Sequence, residues 1–148
     1  MPPRKARIGV VFDTNVVVEF YISVNPKSAS RRILRHWRNQ RRLQMVVSDE
    51  TVEEYLKVLN RLSVAPQTIK SLAERIEKRI TVTKVSLGKR PTESRDADDN
   101  LMLATAHVGK AEFLVTSDND LLDISDTDKK KFKFRIVSPA EFLKAIGE

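Results

Sequence analysis

Four short stretches of the chain set carboxylates at the edge of apolar runs: Val10-Val11-Phe12-Asp13-Thr14-Asn15, Val52-Glu53-Glu54-Tyr55-Leu56, Asp96-Ala97-Asp98-Asp99-Asn100-Leu101 and Leu114-Val115-Thr116-Ser117-Asp118. A carboxylate just past a buried strand is poorly solvated, and several converging there repel one another unless positive charge lies between them. Hard divalent cations, whose natural ligands are carboxylate oxygens, meet that need. The residue types therefore point to Mg2+ or Mn2+ chemistry. Each stretch also has a plainer reading. Asp13-Thr14-Asn15 is ordinary turn or cap chemistry, and a helical glutamate such as Glu54 is most often just exposed. Asp118 and Asp120 suit a capped turn, whereas a cap explains one of Asp96, Asp98 and Asp99 and not three. The joint signal lies in all four stretches falling at one edge of one sheet.

The elements that must position these residues follow from hydrophobic periodicity. Ile8 to Phe12 is a continuous, β-branched run that reads as a central strand covered on both faces. A short helical turn is expected through Val16 to Phe20, then a loop at Asn25-Pro26. Ser30 to Arg42 reads as a helix with Ile33, Leu34 and Trp37 inward and Arg31, Arg35, Arg38 and Arg42 gathered on another side. Leu43 to Val47 reads as the second strand, and Ser48 as the N-cap of a helix burying Val52, Tyr55, Leu56 and Leu59. There Glu54 is one step off the apolar positions, and Glu53 faces solvent.

Pro66 opens a further helix that buries Ile69, Leu72 and Ile76, and Ile80 to Val85 reads as a short strand. Ser86 to Arg95 is a surface loop by composition. Asp98 and Asp99 begin a helix to His107, closed by a left-handed Gly109. Phe113 to Thr116 and Arg135 to Val137 are the last strands, and Ser138-Pro139-Ala140-Glu141 is a capping box opening a terminal helix. Strands alternating with helices imply right-handed crossovers and a mainly parallel sheet in an α/β sandwich. Ligands of such sheets gather beyond the carboxyl ends of the strands, which is where Asp13 and Asp118 fall.

With 148 residues the chain suits one domain, read as 8–148 behind a basic extension 1–7. It has no cysteine, which excludes disulfides and thiolate zinc sites and accords with a reducing cytoplasm. No apolar stretch approaches a membrane span, so the expectation is a cytoplasmic protein without a membrane partner. A net charge of +7 around an acidic pocket fits a polyanion drawn in by basic residues and met by a bound cation. Nucleic acid is the economical choice.

Taken together these residues resemble the PIN-domain family, small metal-dependent ribonucleases that include the toxins of many toxin–antitoxin pairs. Val11-Phe12-Asp13-Thr14-Asn15 resembles the family's first motif, Ser48 with Glu54-Tyr55 the second, Asp99 with Leu101, Ala104 and Ala106 the third helix, and Thr116-Ser117-Asp118 the Thr-x-Asp motif. Arg95-Asp96-Ala97-Asp98-Asp99 and Ser138-Pro139-Ala140-Glu141-Phe142-Leu143 resemble a toxin-like, VapC-like branch. The likeness runs from about Ile8 to Leu143.

The resemblance implies a three-layer α/β/α sandwich and a Mg2+- or Mn2+-dependent endoribonuclease leaving 5′-phosphate and 3′-hydroxyl ends, with an RNA substrate, a cognate antitoxin and a homodimer as partners. It implies Asp13, Glu54, Asp99 and Asp118 as catalytic and metal-holding residues, with Asp96, Asp98 and Asp120 in reserve. Asn15, Thr116 and Ser117 are candidates for orienting those carboxylates by hydrogen bonds. Arg31, Arg35, Arg38, Arg42 and Arg95 are candidates for holding the RNA backbone, against the plainer reading of a solvated helix face. Trp37 fits the core better than a base-stacking platform, and His36 and His107 offer no ligand spacing. Two alternatives remain: a PIN-like RNA-processing or RNA- or partner-binding domain without a toxin role, and a phosphatase using Asp13 as nucleophile. The phosphatase reading predicts an acid where Asn15 stands.

Overall fold

The β-branched runs become strands of one sheet, and the helices between them carry the chain back across it. A computed structural model describes residues 7–39, 42–88, 97–123 and 132–148, with residues 97–100 described by their backbone alone. The described strands are β1 (Ile8–Phe12), β2 (Leu43–Ser48), β3 (Val82–Val85), β4 (Phe113–Val115) and β5 (Arg135–Val137). The described helices are α1 (Thr14–Ile22), α2 (Ala29–Arg38), α3 (Asp49–Arg61), α4 (Pro66–Lys78), α5 (Ala97–Val108), α6 (Asn119–Leu122) and α7 (Pro139–Ala145). The sheet order is β3-β2-β1-β4-β5, and every neighbouring pair is parallel. Helices flank it to make a three-layer α/β/α sandwich, all-parallel where the sequence pattern implied mainly parallel.

β1 sits at the centre because Val10, Val11 and Phe12 have no exposed surface, as a strand covered on both faces requires. From β1 the chain first builds β2 and β3 on one side, then β4 and β5 on the other. The order therefore reverses between β1 and β4, and loops leaving these two strands diverge to open a crevice at their carboxyl ends. Asp13 follows β1 and Thr116 follows β4, at that crevice.

Local chemistry fixes the helix starts. Ser48 caps α3 through a reciprocal box with Thr51, and Ser138 caps α7 through the same device with Glu141, with Pro139 in the first turn. Tyr55 and Leu59 on α3, and Leu72 and Ile76 on α4, are buried as their spacing predicts, whereas Val52, Leu56 and Ile69 are half-buried. Trp37 is fully buried and donates its indole N–H to the Thr81 carbonyl at 3.0 Å, which places it in the core. Each such large side chain removed from water contributes about 1.5–3 kcal/mol.

Three expectations are corrected. α1 is not a short turn but a nine-residue helix beginning directly after Asp13. α2 ends at Arg38, so the arginine row breaks before Arg42. That side chain instead donates to the Ile146 carbonyl at 2.8 Å and pairs with Glu148. The left-handed residue after α5 is Lys110, with φ of 52°, rather than Gly109. Gly109 is required for a different reason: a Cβ there would lie 2.2 Å from Val46 Cγ1 on β2. The loop predicted at 86–95 falls outside the described residues beyond Gly88, as does the N-terminal extension save Arg7.

Candidate active site

Asp13 is held at both oxygens. Oδ1 accepts the backbone N–H of Thr14 at 2.8 Å, which makes Asp13 the N-cap of α1, and Oδ2 accepts the Thr116 hydroxyl at 2.7 Å. Its own N–H donates to Val115 at 2.9 Å, so the residue continues the β1–β4 pairing by one step before the chain turns. Asp13 is half-buried at the mouth of the crevice, directly above a floor of fully buried Phe12.

Two threonines tie the neighbouring acids to it. Thr14 donates its hydroxyl to Glu54 Oε2 at 2.9 Å, linking the start of α1 to α3. Thr116 accepts the N–H of Asp118 at 3.0 Å while donating to Asp13, so one hydroxyl sets the spacing between β1 and the loop after β4. Asp118 is itself the N-cap of α6, its Oδ1 accepting the Asp120 N–H at 2.9 Å. Asp13, Glu54 and Asp118 are thus three half-buried acids linked through two buried threonines, Thr14 by its N–H to Asp13 and its hydroxyl to Glu54, and Thr116 by its hydroxyl to the Asp13 carboxylate and the Asp118 N–H.

Tyr55 braces the same corner from below. Its hydroxyl donates to the Phe12 carbonyl, fixing α3 against the end of β1. Burial pushes its pKa far above the ordinary phenol value, and the nearby negative charges of Asp13 and Glu54 push it further in the same direction. The phenol therefore stays a neutral donor. Ser48, fully buried at the end of β2, shares a 3.1 Å hydrogen bond with Thr105 of α5, which anchors that helix to the same edge.

The predicted residues divide accordingly. Asp98 and Asp99 lie in the first turn of α5, with side chains outside the described set; Asp96 and Arg95 lie outside the described residues altogether. Leu101, one half-turn on, lines a cleft of about 290 Å³ together with Glu50, Glu54 and Lys57, so α5 opens beside the Glu54 helix. Asn15, Ser117 and Asp120 are exposed. Thr14, which the sequence reading left out of its candidate set, is the hydroxyl that reaches Glu54. Among the arginines, Arg31 donates to the Ser23 carbonyl at 3.2 Å and Arg35 to Pro26 at 2.8 Å, so both brace the α1–α2 loop.

Among the residues whose side chains are described, no three Asp, Glu or His come close enough together to hold a metal ion. The donor set is nonetheless oxygen alone, as a hard cation asks, and the α5 carboxylates that would enlarge it fall outside that description. Both oxygens of Asp13 accept hydrogen bonds, which fixes the orientation of its carboxylate.

The model of the PIN domain matches residues 9–120. The chain belongs to the PIN-domain family. PIN domains are generally nucleases, and they typically use divalent metal ions. No curated protein sequence matches this PIN domain. Among solved structures it is similar to VapBC2 from Rickettsia felis, crystallised bound to a DNA fragment from its promoter, with a TM-score of 0.56 and 14% identity over 88% of this chain and 98% of that one. At that identity the likeness is one of fold. Membership of this fold also removes the phosphatase of another α/β fold. No described helix is long and apolar enough to cross a membrane.

Proposed function

We propose that this PIN domain is a Mg2+- or Mn2+-dependent endoribonuclease, the toxin of a type II toxin–antitoxin pair, with residues 8–148 acting as one catalytic domain. The observation that carries the reading is the pair of threonine bridges: Thr14 joins the Asp13 corner to Glu54, and Thr116 joins Asp13 to Asp118. Asp13, Glu54, Asp118 and Asp99 would hold the cation, with Asp96, Asp98 and Asp120 in reserve. When bound, the cation supplies positive charge against the phosphodiester and acidifies an attacking water. The protein's own part is orientation: Thr116 and the Thr14 N–H fix both oxygens of Asp13, and Thr14 fixes one oxygen of Glu54, so the carboxylates are aimed before any ligand arrives.

The toxin assignment draws on the fold shared with the VapBC2 structure and on the resemblance of Arg95-Asp96-Ala97-Asp98-Asp99 to a toxin-like branch. The cognate antitoxin, and a homodimer of this chain, are the protein partners that follow, in a cytoplasmic setting. The net charge of +7 supports RNA as substrate.

The test is cleavage of a mixed set of structured and single-stranded RNAs by protein stripped with EDTA and then restored with Mg2+ or Mn2+. Restored cleavage that leaves 5′-phosphate and 3′-hydroxyl ends is the expected result. Cleavage that persists in EDTA, or leaves 2′,3′-cyclic ends, would reject the mechanism. Thr116→Val keeps the side-chain volume and removes both hydrogen bonds of the hydroxyl. The expected outcome is a fall of about 10–100-fold in initial cleavage rate, with a stability loss of about 1–2 kcal/mol in urea denaturation.

A further inference from the structure

A second, cationic cleft lies at the opposite end of α1 from Asp13. It has a volume of about 370 Å³ and runs between α2 and α4, floored by Phe20, Leu34 and Leu72. Every charged residue that lines it is an arginine: Arg31 and Arg38 from α2, and Arg75 from α4. Among the described residues none of the three has a carboxylate within ion-pair distance, although the chain forms such pairs elsewhere. Three guanidiniums around one cleft repel one another, and an anion relieves that repulsion.

Two of the three are held in place by contacts that leave their charge intact. Arg31 donates to the Ser23 carbonyl at 3.2 Å, and the Arg75 guanidinium lies over the indole of buried Trp37, 5.6 Å from its centroid. Cations fixed in this way lose little entropy when they bind. The remaining polar lining is rich in hydroxyls: Tyr21, Thr68 and Ser71. Burial raises the Tyr21 pKa to about 12, against the opposing pull of Arg38 and Arg75, so the phenol remains a donor.

The lining is spread along both helices. Arg31 and Arg38 are two helical turns apart, about 10 Å along α2, and the same interval separates Thr68 from Arg75 on α4. A trough with guanidiniums at both ends suits an extended polyanion better than a small free anion. From Asp13 it is reached along α1, about 10 Å from Thr14 to Tyr21, a span of a few nucleotides.

We propose that this cleft binds the sugar-phosphate backbone of single-stranded RNA to one side of the scissile bond, with Arg38 and Arg75 as the principal phosphate contacts. The identity of the ligand rests on the ribonuclease reading, since RNA is then the polyanion that must continue past the catalytic edge. The contacts are to phosphate, so they position the strand and carry no base preference.

The test measures binding of a labelled single-stranded oligoribonucleotide to the full chain carrying Asp13→Asn, in EDTA, by fluorescence anisotropy across a salt series. Adding Arg38→Gln and Arg75→Gln is expected to weaken binding by about ten-fold or more and to flatten the slope of log affinity against log salt by about 1.4, two single-strand contacts. Lys70→Gln with Lys78→Gln removes the same charge from α4 outside the cleft and should leave the slope unchanged. Because Arg75 also packs on Trp37, Arg38→Gln alone, at an exposed position, gives an independent reading with about half the slope change.

Unchanged RNA binding in the cleft variants, equal losses in both double variants, or no RNA binding at all would overturn the proposal. So would capture of a glutamate-rich peptide that the cleft variants abolish while RNA binding persists, which would assign the cleft to an acidic protein segment. RNA held by the cleft without any cleavage would sink the nuclease reading alone. Cleavage with cleft-independent binding would sink this one alone.

Discussion

Asp13→Asn is expected to lower metal-dependent RNA cleavage by about 10³-fold or more while leaving the protein folded. The change removes a negative charge and one acceptor oxygen, and nothing else in volume. The amide oxygen can still accept from Thr14 N–H or from Thr116, and the Thr116 hydroxyl can rotate to accept from the new amide. The N-cap of α1 therefore survives, since Asn caps as well as Asp. Cation binding at the proposed site is expected to be lost, because a neutral amide is a poor substitute for a carboxylate ligand. Initial-rate cleavage assays and thermal melting of the two proteins side by side read both halves of the expectation. A variant that melts normally and still cleaves with metal would remove Asp13 from the site.

Gly109→Ala carries the largest expected effect on stability. The added methyl would stand 2.2 Å from Val46 Cγ1 and 3.0 Å from the Thr105 carbonyl oxygen. Val46 is buried in β2, so relieving the contact means forcing its side chain into another rotamer, shifting α5 or distorting the sheet. Overpacking of this kind costs about 1–3 kcal/mol, and the melting temperature should fall by several degrees. Activity per folded molecule should fall as well, because α5 is packed against β1, β2 and β4 and carries Asp98 and Asp99 in its first turn. Circular-dichroism melting checks the first effect, and cleavage at a temperature where both proteins are fully folded checks the second.

The strands, α3, α4, the Ser48 cap and the Ser138 capping box were legible in the sequence because their causes are local. Tyr55 and Leu59 repeat at helical spacing, and Ser138 and Glu141 sit three apart, so the pattern and its structural consequence occupy the same few residues. The positions of Asp13 and Asp118 were legible for a related reason, since strand ends in a parallel sheet share an edge.

Long-range partners set the features that were misread. The arginine rhythm runs unbroken to Arg42, but the helix stops at Arg38, and Arg42 is tied to Ile146 more than a hundred residues on. Gly109 offers the composition of a left-handed cap; the close approach of β2 that demands a glycine there comes from a strand sixty residues earlier. Thr14 and Asn15 are equally polar neighbours, and only the arrival of α3 distinguishes them: Thr14 reaches Glu54, whereas Asn15 faces solvent.

If Asp13, Glu54 and Asp118, with Asp99, hold one cation as proposed, the folded chain binds Mn2+ in the absence of RNA. Calorimetric titration of Mn2+ into the folded wild-type chain should give a saturable binding event that Asp13→Asn abolishes and Asp118→Asn weakens. Identical Mn2+ binding by all three proteins would show that these carboxylates do not hold the cation.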